Sequence, residues 1–288
     1  MSDHILKSGA NSVILGKNYY KGFFSPKLNK LLKVTKITEY HDELKNLSYI
    51  RTIKSYEDYY IIPDKELTKI LPGSDFHDYL KKITTQHNLD IFDSSLYCMY
   101  VNYGGQLDVF DSIERFNPRV WSSCKSILKF CNQIMQGLSF LHNKYICHLD
   151  IKPENIMIDL YEMRFRIIDF GYSSADPFDD FVNDIRGTPC YFPKHIETTS
   201  DLGLPKIEAN DLDEVKGVIP MKHNRSLVYK IDSYCFGRVL NLVYKVYLDN
   251  NCTSFERTSK KKIQKLMDLL LENNVHKRYT IGNIIALV

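Results

Sequence analysis

The chain has 288 residues, 44% of them hydrophobic and 25% charged, with a formal net charge of +3. That length suffices for one large domain or two small lobes around a cleft with a sizeable core. The near-balanced charge argues for neither a nucleic-acid nor a membrane-surface partner. The seven cysteines, Cys98, Cys124, Cys131, Cys147, Cys190, Cys235 and Cys252, form no C-x-x-C pair. This excludes a zinc site or disulfide framework and suits reduced thiols in a cytosol-like compartment. Met1–Ser12 mixes Asp3, His4 and Lys7 into a short apolar stretch, so no secretory leader is expected, and no apolar run approaches the ~18 residues of a membrane span.

In chain order, Ile5 to Leu15 and Lys30 to Ile37 have strand character. Leu44, Leu47, Ile50 and Ile53 recur at a helical period, which predicts a helix over His41 to Ile53. Tyr59 to Ile62 is a short β-rich run stopped by Pro63, Asp75 to Gln86 a polar helix, and Leu96 to Val101 a strand ended by Gly104-Gly105. Beyond this point the pattern is mainly helical. Ser122 to Asn143 sets Ile127, Phe130, Cys131, Ile134, Leu138 and Leu141 on one face. Two short strands follow, Ile156 to Ile158 and Phe165 to Ile168. Helices are then predicted over Tyr229 to Leu248, Lys260 to Leu271 and Ile281 to Val288. Strands first and helices second imply an α+β protein of two lobes. Residues 195–228 are the least patterned and read as an insertion or long loop.

The most specific pattern is His148-Leu149-Asp150-Ile151-Lys152-Pro153-Glu154-Asn155, followed by Asp169-Phe170-Gly171. These two segments resemble the catalytic loop and metal-binding motif of the eukaryotic-type protein kinases, correctly ordered and spaced. The resemblance implies a bilobal kinase fold and transfer of the γ-phosphoryl group of ATP to protein hydroxyls. The chemistry accounts for the residue types, because phosphoryl transfer needs positioning and charge neutralisation more than covalent help. Asp150 is expected to take or orient the proton of the attacking hydroxyl. Lys152 is expected to offset charge on the γ-phosphate. Asn155 and Asp169 supply the hard oxygens that Mg²⁺ prefers, Phe170 packs behind the loop, and Gly171 permits a sharp turn. A lysine two residues after the aspartate, together with Gly187-Thr188-Pro189-Cys190-Tyr191, is similar to the serine/threonine-specific branch. Thr188 is then expected to bond near Asp150 and Lys152.

On the nucleotide side, Leu6 to Ile14 fits the family's glycine-rich frame with the middle glycine, Gly9, kept and with Lys7 and Ser12 in place of the outer two. Small residues there still let backbone N–H groups approach phosphates. Gly9, Ser12 and Ile14 are therefore expected at the nucleotide. Lys33 is the favoured ATP-orienting lysine, with Lys30 and Lys36 as rivals and Lys21 too close to the loop. Glu43 is its expected partner and Glu39 the alternative. Met99 to Leu107 resembles the hinge between lobes, with Val101, Asn102 and Tyr103 offering backbone groups to adenine.

The resemblance spans about residues 5–286 and implies a single kinase domain over 1–288. Its N-lobe would cover about 1–101, the hinge about 101–105 and the C-lobe about 106–288, with the insertion at 195–228. Asp232 to Gly237 resembles the start of the family's large buried helix, where Asp232 would brace the catalytic loop. Arg278 resembles the late family arginine, whose usual glutamate partner is replaced by Lys194, leaving Glu197 as a substitute or the pair lost. Leu149 stands where the family usually has an arginine for an activation-loop phosphate, so control by that phosphate is not expected. The expected ligands are ATP and Mg²⁺. Expected partners are protein substrates, with no nucleic acid and no membrane, and the chain is expected to be a monomer in the cytoplasm. A compact, divergent kinase with Y-G-G at the hinge also resembles those of large DNA viruses, which would place it in host cytoplasm or virion. Lys260-Lys261-Lys262 reads as a solvated helix face. The rival readings are a pseudokinase scaffold, favoured by the thin glycine loop and Leu149, and a small-molecule kinase, against which the G-T-P-C-Y segment stands.

Overall fold

The computed structural model describes residues 5–8, 12–16, 23, 30–36, 40–86, 95–175, 181–182, 187–193, 208–209, 215–216, 219–220, 225–250 and 256–287. The chain divides into two compact units, Met1–Lys45 with Ile61–Gly104, and Asn46–Tyr60 with Gly105–Val288. Residues 46–60 thus cluster with the second unit, although a division at the hinge alone would place them in the first.

The first unit is built on a five-stranded antiparallel sheet of β1 (Ile5–Ser8), β2 (Ser12–Leu15), β3 (Lys30–Lys36), β4 (Thr68–Ile70) and β5 (Leu96–Asn102), in the order β1-β2-β3-β5-β4. The stretch of strand character at Ile5 to Leu15 forms the hairpin of β1 and β2, with a register shift between Ile5 and Lys7. Alternation along each strand sorts the two faces. Val13, Leu15, Leu32, Val34, Leu96 and Cys98 are buried together on one face. Among the described residues two helices belong to this part of the chain, α1 (Tyr40–Ile50), whose last residues belong to the second unit, and α2 (Asp75–Gln86). α2 covers the apolar face of the sheet with Phe76, Leu80 and Ile83, a spacing that puts all three on one helical stripe. The predicted strand at Tyr59 to Ile62 is instead a 3₁₀ turn at Tyr56–Asp58 followed by isolated bridges at Tyr60 and Pro63.

The second unit opens with β6 (Leu107–Asp108), α3 (Val109–Glu114) and α4 (Pro118–Trp121), which lead into the long α5 (Cys124–His142). Ser123 caps α5 by accepting from the Ser126 backbone N–H. The buried stripe of α5 includes every residue expected there, from Ile127 to Leu141. Next come β7 (Ile146–Cys147), a 3₁₀ turn at Pro153–Asn155, β8 (Ile156–Asp159), β9 (Arg164–Ile167), β10 (Ser174–Ala175) and β11 (Phe181–Val182). β6, β8 and β9 form a small sheet, and β10 pairs with β7. Gly105 has φ +157° and lies where a Cβ would strike the Ile158 carbonyl, so only glycine lets the chain turn into β6 there. Among the described residues three two-residue strands lie within the expected insertion, β12 (Glu208–Ala209), β13 (Val215–Lys216) and β14 (Ile219–Pro220). α6 (Arg225–Asn250), α7 (Arg257–Leu270) and α8 (Ile281–Ile285) complete the unit. α6 therefore begins inside the stretch read as a loop.

The core of this unit centres on Trp121, Phe130, Phe165 and Phe236, whose rings lie 5.0–5.8 Å apart at tilted and edge-on angles. α6 is buried on several sides, through Val228, Ile231, Cys235, Phe236, Val239, Leu240, Val243 and Tyr247. Its exposed side is a narrow polar stripe of Arg238, Asn241, Lys245 and Asp249 at helical spacing. α7 buries Ile263, Leu266, Met267 and Leu270 while Lys261 and Lys262 are exposed, and Lys260 lies 5.7 Å over the Tyr247 ring. The α+β class holds, with the small antiparallel sheet in one unit and the long helices in the other. Among the described residues no helix is long and apolar enough to cross a membrane.

Candidate active site

In the first unit, β3 runs antiparallel to both β2 and β5, and Lys33 stands opposite Ile14 on one side and Met99 on the other. Ile14, Lys33 and Met99 therefore share the face away from Leu32 and Val34. The Lys33 ammonium lies 3.0 Å from Glu43 Oε1 and 3.3 Å from Oε2, with side chains only 11% and 5% exposed. Lys30, one of its rivals, instead pairs with Asp64 at 2.7 Å and is more exposed. Glu43 is on the first turns of α1, one helical turn before the buried Leu47, as its spacing requires. Val101 and Asn102 end β5, and Val101 bridges to Pro63 while Tyr100 accepts from the Asp64 N–H. Tyr103 follows with its ring half-exposed. Ser12 lies in β2. Gly9, Lys21 and Glu39 lie outside the described residues.

In the second unit, the catalytic-loop residues converge on one carboxylate. Asp150 is 4% exposed. Its Oδ1 accepts from the Thr188 hydroxyl at 2.7 Å and the Thr188 N–H at 3.2 Å. Its Oδ2 accepts from Asn155 Nδ2 at 2.8 Å and lies 2.9 Å from the Lys152 ammonium. Lys152 also donates to Thr188 Oγ1 at 2.9 Å. Burial pulls the Lys152 ammonium down, but the charges of Asp150, Glu154 and Asp169 and the bond to Asp150 outweigh it. Lys152 therefore titrates above the ordinary lysine range. It is a cation throughout physiological pH.

Asn155 gives its amide protons to the carbonyl and carboxylate of Asp150, leaving its carbonyl oxygen as the atom able to ligate a metal. Asp169 has φ +64°, a left-handed conformation that aspartate tolerates better than most residues. This corrects the expectation that Gly171 makes the turn: the left-handed residue is Asp169, and Gly171 donates back to its Oδ1 at 3.4 Å. Among the described residues no group of three or more His, Cys, Asp or Glu could hold a metal ion. The donors suit Mg²⁺ held through one carboxylate, one amide oxygen and substrate phosphates rather than a closed protein cage.

A shell of buried bonds fixes this loop. Asp232, fully buried on α6, accepts from the backbone N–H of His148 at 2.9 Å and of Leu149 at 2.8 Å, and lies 2.9 Å from His142 Nε2. Burial pushes the Asp232 carboxyl up, but the bond and charge of His142 and the backbone N–H of His148 outweigh it and hold it below the ordinary aspartate value. The clamp falls where Leu149 adopts φ +66°, a strained conformation for a leucine. His148 Nε2 donates to the Ile168 carbonyl at 3.1 Å while its Nδ1 accepts from the Asp150 N–H at 3.3 Å, an assignment that puts the ring proton on Nε2. Phe170 is buried against the rings of His148 and Tyr60, and the Tyr60 hydroxyl donates to the Gly137 carbonyl. Asn46 donates to the Ser173 carbonyl at 2.6 Å. Sequence reasoning placed Asp232 but missed His142, Tyr60 and Asn46. Only His142 left a trace, as a polar residue closing an otherwise apolar helical stripe.

Arg278 is 1% exposed and donates to the carbonyls of Glu272, Lys230 and Asn273 while lying 4.5 Å over the Tyr234 ring. Burial lowers its guanidinium to about 10. Carbonyl dipoles and a ring thus surround it. Lys194 and Glu197 lie outside the described residues.

Comparison with known proteins agrees with this geometry. The family described as protein kinase domain matches residues 74–203, which include the catalytic loop and D-F-G. The chain is 27% identical over 237 residues to serine/threonine-protein kinase ppk34 of Schizosaccharomyces pombe, covering 79% of this chain and 60% of that protein. It is 36% identical over 88 residues to serine/threonine-protein kinase KSP1 of Saccharomyces cerevisiae, covering 31% of this chain and 8% of that protein. With serine/threonine-protein kinase pim-2 of Danio rerio it shares 32% over 123 residues, covering 43% and 32%. The matches thus span 60% or less of these relatives' own lengths. The fold is that of a protein kinase domain, and the catalytic segment is similar to those of eukaryotic-type serine/threonine kinases.

Proposed function

We propose that this chain transfers the γ-phosphoryl group of ATP to serine or threonine hydroxyls of protein substrates. The observation that carries the reading is the closed arrangement of Asp150, Lys152, Thr188 and Asn155 around one buried carboxylate. Bound Mg-ATP would supply the phosphoryl group and much of its charge neutralisation. Asp150 orients the attacking hydroxyl and takes up its proton. Lys152, held cationic, offsets negative charge that develops during transfer. Asn155 and Asp169 would ligate Mg²⁺. Lys33, fixed by Glu43, would orient the phosphates, with Gly9, Ser12 and Ile14 lining the nucleotide and Val101, Asn102 and Tyr103 meeting adenine. Thr188 supports serine/threonine over tyrosine specificity, because its hydroxyl bridges both catalytic groups.

Leu149 is buried and apolar, so the usual arginine contact to a loop phosphate has no counterpart at that position. The enzyme works without that switch. The reading of residues 1–288 as one kinase domain, the cytoplasmic location and the monomeric state belong to the same proposal, as does the likeness to compact kinases of large DNA viruses, which rests on sequence character alone. A nucleotide-binding scaffold is the second reading, favoured by Lys7 and Ser12 in the glycine frame. Radiolabelled ATP with a generic substrate panel, comparing wild type with Asp150→Asn, tests the reading. Label on serine and threonine that vanishes in the variant is expected. Equal labelling by both would overturn it, and a Mg-ATP thermal shift without turnover would favour the scaffold.

A further inference from the structure

The segment between Asp169 and Thr188 carries a contact that the catalytic reading does not use. Phe181 stands opposite Pro220 and Val182 opposite Ile219 in the antiparallel pair of β11 and β14. Pairs along an antiparallel ladder alternate between hydrogen-bonded and non-bonded. Pro220 has no N–H to give, so the bonded pair is Val182 with Ile219. β14 belongs to the stretch between Pro193 and α6, which also pairs with itself where Glu208 meets Lys216 and Ala209 meets Val215. The stretch read as an insertion or long loop therefore adds a strand to the segment that ends at the Asp150–Thr188–Lys152 contacts.

We propose that β14 is an intramolecular brace for the segment that carries β11 and Thr188. Backbone pairing through β14 holds it so that Thr188 stays on Asp150 and Lys152, with no phosphate required. The proposal rests on the kinase reading for its consequence, though not for the contact itself. A blocking role fits less well, because Thr188 already makes both of its catalytic-loop bonds while the ladder is formed.

Three variants test this. One replaces residues 200–220 by a short Gly-Ser linker, Ile219→Pro removes the N–H of the bonded pair, and Ile219→Ala keeps it. Hydrogen exchange of a peptide covering 181–182 is read beside steady-state kinetics on phosphatase-treated enzyme. The deletion and Ile219→Pro are expected to speed exchange there and to lower kcat/KM for protein substrate by about tenfold, the loss of one or two ladder bonds, with the KM for ATP unchanged. Ile219→Ala should behave as wild type. Unchanged exchange in the deletion overturns the brace, and a rise in activity makes the stretch inhibitory instead. Wild type without phosphoryl transfer overturns the kinase reading, while the exchange measurement still decides the brace.

Discussion

Replacing Asp232 should release the catalytic loop, and the cost follows from its contacts. Its carboxylate is fully buried and accepts from the N–H groups of His148 and Leu149 and pairs with His142. Asp232→Ala removes all three interactions and leaves two buried backbone donors without that acceptor. A buried hydrogen bond to a charged group contributes roughly 1.5–3 kcal/mol, and breaking one side of a buried charged pair costs about 3–5 kcal/mol in all. Some is returned as Leu149 leaves its φ of +66°, strain of order 1–3 kcal/mol. The net loss should be about 3 kcal/mol, a large part of a typical 5–15 kcal/mol. Asp232→Asn keeps one acceptor but turns its NH₂ toward a donor, so its loss should be smaller, roughly 2 kcal/mol. Trp121 is the sole tryptophan and is buried in the same unit, so its fluorescence during urea unfolding reports this loss directly. Activity should fall further than stability, since Asp150 follows Leu149 directly. An Asp232→Ala midpoint within error of wild type would refute the clamp.

The same carboxyl is held below its ordinary value, so its contribution is present above about pH 4 and lost as pH falls through the folded value. An acid titration of wild type should show a transition there that Asp232→Asn lacks. Lys152 is raised, so its ion-pair contribution is intact below about 10.5 and lost as pH climbs through the folded value, which Lys152→Met should abolish in an alkaline unfolding series. Lys33→Met should cut phosphoryl transfer by ~100-fold or more, whereas Lys30→Met, losing a partly exposed pair with Asp64, should cost under about 1 kcal/mol and little activity. Comparable losses in both would move the phosphate-orienting role elsewhere. Gly187→Ala puts a methyl group into the Phe192 ring and within 2.5 Å of the Leu149 carbonyl oxygen. It should therefore shift Thr188 and raise the KM for peptide, while a wild-type KM would show that the segment yields freely.

The linear pattern made the chemistry legible because the catalytic residues are close together in the chain. Asp150, Lys152 and Asn155 sit within one loop, whose short spacing brings them together wherever the fold places it. Long helices were also legible, since α5 carries a strong apolar stripe that local periodicity reveals. The 3₁₀ turn at Tyr56–Asp58 and the strands at 208–220 were not, because two or three residues carry too little periodicity. Register across β2, β3 and β5 was needed to set Lys33 beside Ile14 and Met99, and the packing of α1 to bring it to Glu43 rather than leave Lys30 a rival. The His142–Asp232 contact joins residues on α5 and α6, and no local rule encodes such a pair. What the amino-acid sequence determined by itself was the catalytic loop and D-F-G, where chemistry demands fixed residue types at short range. What the tertiary structure alone decided was how that loop is held, because the buried bonds that clamp Leu149 at a positive φ come from parts of the chain far away in sequence.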